Sequence, residues 1–276
     1  MFVVFGSPRS GTTLLASTLN LNDHIVIPHE TDFIIPTAFI IDRVKNESIG
    51  KKLIEKLIVS SENFKHSIGE YLSERDIKKI IHSSAYSITN ILSHLYQEIA
   101  YRKGATIAGD KSPNDLNFLR ILVKTGLVES DIKVVHIIRD IRDVILSLKR
   151  VDWGLPDIET WFPRLWNYAN LYLYNLYKDK MEKYLLIKYE DMVTSPFETF
   201  QKITHFLNVP FQEKMFDHHK RGNRYHNHPD HKNISSPFLT NKVGVWKNEM
   251  DPWLKEICEK QANEALKDFG YFKNNY

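Results

Sequence analysis

Phe2-Val3-Val4-Phe5-Gly6-Ser7-Pro8-Arg9-Ser10-Gly11-Thr12-Thr13-Leu14-Leu15-Ala16 is the stretch that decides how this chain folds. An apolar run, a loop bounded by two glycines and a helix-forming run follow one another, which reads as strand, loop and helix. Backbone N–H groups of such a loop, together with the positive end of the helix behind it, make a cradle for phosphate. The spacing Gly6-x4-Gly11 is that of a nucleotide P-loop, but Thr12 stands where an ATPase or kinase has lysine. The positive charge sits inside the loop instead, on Arg9. An anion is expected here, and not the triphosphate of ATP or GTP.

Composition narrows the class. The 276 residues allow one large α/β domain or two small ones. At 42% hydrophobic and 26% charged, the chain has the make-up of an ordinary globular protein. A formal charge of +3 suits a small anionic ligand and is too weak over this length to argue for nucleic acid. The single cysteine, Cys258, excludes an intramolecular disulfide and a cysteine-based zinc site. It reads as core or surface rather than as a nucleophile. The longest greasy stretch, Phe33 to Ile41, is too short to span a membrane and contains Pro36 and Thr37. Phe2–Phe5 reads as a core strand rather than a secretory segment, because its apolar run stops at Gly6. A cytoplasmic enzyme is the expectation.

Three further apolar runs read as strands: Thr106–Ala108, Val134–Ile138 and Tyr184–Ile187. Their continuous apolar character suits a parallel sheet buried by helices on both faces, the expected α/β architecture. Ile25–Ile27 is a second strand-like run. Residues 42–103 carry a helical pattern, with Leu53, Ile54, Leu57 and Ile58 and then Ile88, Ile91, Leu92 and Leu95 on one face, and read as a helical insertion. Residues 158–179 read as a long helix whose Trp161, Trp166, Tyr168 and Tyr172 pack in the core. One more helix, from Pro252 to Phe269, closes the chain. From about 218 to 240 the periodicity fails. His218, His219, His226, His228 and His231, with Lys220, Arg221, Arg224 and Lys232, mark a basic lid-like loop that matches no closed zinc site. With no repeat and no Gly-, Pro- or Ser-rich linker, residues 1–276 read as a single domain.

The strand at Val134–Ile138 runs into Arg139-Asp140-Ile141-Arg142-Asp143-Val144-Ile145-Leu146-Ser147. Arg139 leaves the C-terminal end of that strand, where ligands of open α/β sheets collect. Ser147 lies two helical turns on, so a guanidinium and a hydroxyl can reach one phosphate. A structural Arg-Asp ion pair is the competing reading.

Together these motifs resemble the sulfotransferase family that uses 3'-phosphoadenosine 5'-phosphosulfate (PAPS). Ser7–Leu15 is similar to its 5'-phosphosulfate loop, and Ile138–Val144 with Ser147 to its 3'-phosphate motif. Tyr189-Glu190-Asp191-Met192 resembles the family's Tyr-Glu-Asp segment, and Gly244-Val245-Trp246-Lys247 its Gly-x-Trp-Lys element. The resemblance implies that Ser7, Pro8, Arg9, Ser10, Gly11, Thr12 and Thr13 hold the 5'-phosphosulfate, and that Arg139 and Ser147 hold the 3'-phosphate. Arg9 would neutralise the charge that builds on the leaving oxygen, and adenosine 3',5'-bisphosphate (PAP) would be the product. Sulfuryl transfer, like phosphoryl transfer, needs positioning and charge stabilisation, and no metal is implied.

The acceptor's proton needs a base. Small-phenol sulfotransferases carry a His two residues after a strand-end Lys, and here Asp110-Lys111-Ser112-Pro113 places Pro113 there. Pro28-His29-Glu30-Thr31-Asp32-Phe33 instead resembles the Glu-bearing segment of tyrosylprotein and heparan sulfotransferases. Glu30 is therefore the expected base, with Asp32 and His29 as rivals and helix capping as its structural alternative. Lys111 would be a second catalytic cation, or else a surface lysine paired with Asp110. Where phenol-type relatives clasp the 3'-phosphate with Arg-Lys-Gly, this chain has Leu239-Thr240-Asn241, so Lys242 is the substitute. Tyr189 contacts adenine or closes the core. The acceptor implied is a hydroxyl or amine on a small polar metabolite or sugar. A P-loop kinase or NTPase, and a non-catalytic binder of PAP, are the alternatives from other classes.

Overall fold

The structure is a computed structural model and describes residues 1–151, 155–220 and 236–272. Five strands form one wholly parallel sheet: β1 (Phe2–Phe5), β2 (Ile25–Val26), β3 (Ile107–Lys111), β4 (Lys133–Ile138) and β5 (Tyr184–Lys188), in the order β2-β3-β1-β4-β5. β1 is central, as its fully buried Phe2-Val3-Val4-Phe5 run requires. The chain leaves β1 for the β2/β3 side and then crosses to β4, so the direction of winding reverses beside β1. In open parallel sheets, ligand crevices form at that reversal.

Helices flank the sheet, because each face of these continuously apolar strands must be covered. They are α1 (Thr12–Leu19), α2 (Ile34–Arg43), α3 (Glu47–Val59), α4 (Glu74–Ser83), α5 (Ile88–Lys103), α6 (Leu119–Lys124), α7 (Ile141–Leu148), α8 (Ile158–Tyr177), α9 (Tyr189–Thr194), α10 (Pro196–Leu207), α11 (Trp246–Glu249), α12 (Pro252–Gln261) and α13 (Asn263–Asp268). Val3 and Phe5 pack into one apolar cluster with α2 to α6, and Phe2 and Val4 into another with α1 and α10. This alternation follows from the two-residue period of a strand. Among the described residues no helix is long and apolar enough to cross a membrane.

Several local expectations need correction. The helical region after β2 begins at Ile34 rather than Asp42, so the greasy Phe33–Ile41 stretch is mostly the core-facing helix α2. Leu53 is exposed, whereas Ile54 and Ile58 are buried. The last helix breaks at Ala262 into α12 and α13, with Ala262 at φ −110° and ψ 20°. Of the α8 aromatics Trp166 is buried, but Trp161 and Tyr168 are 38% and 43% exposed. Helical spacing alone does not say how wide the covered face is. Cys258 is buried, and burial pushes its thiol pKa up to about 12, which suits packing and not nucleophilic attack. Of the lid-like stretch, residues 221–235 lie outside the described residues. His218 is buried, its ring 4.7 Å from that of Phe238.

Candidate active site

The loop after β1 closes with a Ser10 N–H bond to the Ser7 carbonyl at 3.1 Å. Two residues take left-handed backbone, Arg9 at φ +66° and Gly11 at φ +89°. At Gly11 a Cβ would lie 2.5 Å from the Tyr189 ring, so glycine answers both to conformation and to space. Holding non-glycine Arg9 in this region is costly, and such strain collects at functional sites. α1 starts at Thr12 with no side-chain cap and no acidic residue in its first turn, leaving its positive end open to an anion. Ser7, Ser10, Thr12 and Thr13 are all buried, and the Ser10 hydroxyl has no hydrogen-bond partner among the described residues.

Strand register brings the second motif to this loop. Phe5 pairs with His136, so β4 continues past the end of β1 and Arg139 follows it beside the loop. Its guanidinium donates to the carbonyls of Arg9 (3.1 Å) and Lys242 (2.8 Å) and lies 4.2 Å from the Tyr189 ring centroid. Arg139 Nε is buried without a partner among the described residues. Arg9 Nε donates to Ser147 Oγ at 2.9 Å. Arg9, Arg139, Ser147, Tyr189 and the Lys242 backbone therefore meet at one place. Lys242 enters through its carbonyl in these contacts. Tyr189, 7% exposed, packs on Gly11 and carries Arg139.

The rest of that motif holds the C-terminal segment in place, which its sequence did not reveal. Asp140 forms a buried ion pair with Arg142, whose guanidinium lies 3.6 Å from the Trp246 ring centroid. Asp143 accepts from the N–H groups of Gly244 (2.7 Å) and Trp246 (2.9 Å). Glu190 accepts from Asp140 N–H and from the Tyr271 hydroxyl, each at 3.0 Å. Burial raises its pKa to about 7. A run of alternating Arg and Asp was the available signal, but it does not tell which acid caps which segment.

On the other side of β1, Val4 pairs with Lys111 and Ala108 with Val26. Lys111 ends β3, is 1% exposed at its side chain and forms an ion pair with Glu30, which is 30% exposed. The alternative pairing of a surface Lys111 with Asp110 is thus wrong, because neighbouring residues on a strand face opposite ways. Asp110 accepts instead from the hydroxyls of Thr31 (2.6 Å), Ser112 (3.0 Å) and Tyr96. Glu30 lies in the loop before α2 and caps no helix, since that helix is preceded by Phe33. Asp32 is exposed, at φ +52°, and its carboxyl is pushed up by partial burial and by the charges of Glu30 and Asp110. His29 accepts a bond from Ser67 at its backbone carbonyl. Asp115, absent from the expectations, is 5% exposed with Oδ2 unpartnered among the described residues, and burial raises its carboxyl well above the ordinary range.

Along the C-terminal edge the order is therefore Glu30 (after β2), Lys111 (β3), the Gly6–Thr13 loop (β1), Arg139 (β4) and Tyr189 (β5). The Sulfotransferase family model matches residues 2–213. The chain belongs to the sulfotransferase family. Among curated proteins, none matches this sulfotransferase by sequence. Its fold is similar to the sulfotransferase domain of the Synechococcus PCC 7002 olefin synthase, at 21% identity and TM-score 0.66, over 95% of this chain and 93% of that one. The sulfotransferase domain from the curacin biosynthetic pathway is similar at 20% identity and TM-score 0.64, over 96% of both chains. Mouse sulfotransferase SULT7A1, complexed with PAP, is similar at 16% identity and TM-score 0.53, over 96% and 84%.

Proposed function

We propose that this sulfotransferase moves the sulfuryl group of PAPS to a hydroxyl or amine of a small polar metabolite or sugar. The reading is carried by one observation: the Gly6–Thr13 loop is flanked by Arg139 and Ser147 of the β4–α7 segment, both bonded to Arg9, on one side and by the Glu30–Lys111 pair on the other. Strands lie about 4.8 Å apart, so Arg139, which follows β4, is one strand from the loop, and Glu30, which follows β2, is two strands, or roughly 10 Å, away. A donor charged at two ends fits the loop and the β4 side, and an acceptor fits the β2/β3 side.

The residues present suit that donor. The Ser10 hydroxyl and Arg139 Nε are buried donors without a partner among the described residues, and such a donor is costly unless a ligand fills it. Arg139 and Ser147 would hold the 3'-phosphate, and the loop amides with Thr12 and Thr13 the 5' end, with Ser7 and Pro8 shaping the turn. When bound, PAPS supplies the sulfuryl group and leaves as PAP. Arg9 presents its charge to the leaving oxygen, oriented by its bond to Ser147. Lys111 adds a second cation and, through its ion pair, holds in place the Glu30 carboxylate that takes the acceptor's proton. Tyr189 positions Arg139 and lines the adenosine side, and Lys242 borders it. No role here calls for a metal ion.

The test is transfer from radiolabelled PAPS to a panel of hydroxyl and amine acceptors. Acceptor-dependent label transfer is the expected result. Turnover of ATP with Mg²⁺ in its place would restore the kinase reading, and tight PAP binding with no transfer to any acceptor would make the protein a binder.

A further inference from the structure

Away from the donor loop, α2, α6, α8 and the 3₁₀ segment Pro113–Phe118 line a surface-open cavity of about 340 Å³. None of its lining residues belongs to the Gly6–Thr13 loop, the Arg139 motif or the Glu30–Lys111 pair. Its volume is that of a small-molecule pocket.

Its walls are aromatic. Phe39, Phe118 and Tyr168 are 41%, 49% and 43% exposed, and these three line the one cavity. Tyr168 stacks on Tyr172 with ring centroids 5.6 Å apart and planes 12° from parallel, which gives a flat rigid wall. Converging exposed aromatics mark a binding surface better than scattered ones.

Its charge is one-sided. Arg43, Arg120 and Lys124 line the cavity against one carboxylate, Asp42, which both Lys124 and Arg43 already pair. Arg120 is the cation left over. Its Nε donates to the Tyr168 hydroxyl at 2.8 Å, and its guanidinium lies 5.5 Å from that ring's centroid. Its two terminal amino groups have no partner among the described residues. A guanidinium fixed at Nε with both terminal groups open is arranged for two-pronged contact with a carboxylate, sulfonate or sulfate.

We infer that this cavity is a second small-molecule site, for a planar aromatic ring bearing an anionic group, bound between Phe118 and the Tyr168–Tyr172 wall with its charge on Arg120. The inference does not depend on which acceptor the donor site serves.

The experiment titrates the full chain with 1-anilinonaphthalene-8-sulfonate, followed by fluorescence, and repeats the titration with its uncharged analogue N-phenyl-1-naphthylamine. Each is done with and without saturating PAP. One saturable site that PAP leaves intact is expected. Arg120→Met should weaken the sulfonate by roughly tenfold and leave the uncharged probe nearly unchanged, since it removes charge but keeps the apolar stem. Tyr168→Ala should weaken both by about fivefold. Both residues are exposed, and circular dichroism confirms that each variant folds. Absence of saturable binding, displacement by PAP, or equal affinities in the Arg120→Met protein would overturn the inference.

Discussion

Replacing Arg139 by alanine tests the donor assignment without knowledge of the acceptor. The guanidinium makes hydrogen bonds of 3.1 and 2.8 Å to the Arg9 and Lys242 carbonyls and rests on Tyr189, with Nε left over. A charge-assisted hydrogen bond to phosphate is worth about 1.5–3 kcal/mol, so PAP should bind roughly 10- to 150-fold more weakly. 5'-AMP, which has no 3'-phosphate, should lose less than about threefold, the residue of a loosened loop. The lost carbonyl bonds and ring contact should also cost about 3 kcal/mol of stability, or a Tm lower by about 5–10 °C. Isothermal calorimetry on folded protein at 15 °C reads both affinities, and calorimetric melting reads the third quantity. Arg139→Lys keeps the charge but not the fork, and should fall between wild type and alanine for PAP. If PAP and 5'-AMP weaken by the same factor, Arg139 only props the loop. If neither changes, the 3'-phosphate is held elsewhere and the reasoning fails.

Three further outcomes are expected. Sulfuryl transfer should persist in excess EDTA, because the loop offers amides and Arg9 where a kinase relies on a magnesium-bridged phosphate, and an absolute need for Mg²⁺ would contradict this. Glu30→Gln should lower single-turnover kcat by about 10²–10⁴-fold at saturating PAPS with PAP affinity nearly constant. It should also lower stability by about 1–2 kcal/mol, since buried Lys111 loses its carboxylate while Glu30 itself is part-exposed; unchanged turnover would shift the base to Asp32 or His29. Glu190, with a pKa raised to about 7 in the folded state, binds its proton more tightly there than in the unfolded chain. Stability should therefore fall as pH rises from about 4.5 to 7, by at most about 3 kcal/mol, and Glu190→Gln should gain on wild type over that window in urea melts, whereas parallel pH profiles would show that Glu190 does not titrate there.

How much of this was legible in the sequence depends on the range of the interaction. Phe2–Phe5 announced the central strand because continuous apolar residues need cover on both faces, and the loop from Gly6 to Thr13 announced an anion site because glycine spacing and helix polarity are local properties. The strands at Val134 and Tyr184 and the long helix from Ile158 were legible for the same reason. Periodicity did not reveal that α2 begins at Ile34, that the last helix breaks at Ala262, or that Tyr168 faces solvent, because each depends on what packs against the element. The partner of Lys111 was likewise beyond sequence: Asp110 is its neighbour in the chain, but strand pleating turns the two apart, and the β2-β3 pairing delivers Glu30 from 81 positions away. The Arg139 motif divides in the same manner. Its residue types named an anion grip, while the tertiary structure alone decided that Arg139 reaches the loop, that Arg142 and Asp140 neutralise each other in the core, and that Asp143 pins Gly244 and Trp246. Sequence carries what a few consecutive residues can do; which distant group completes each buried charge is set by strand order and register.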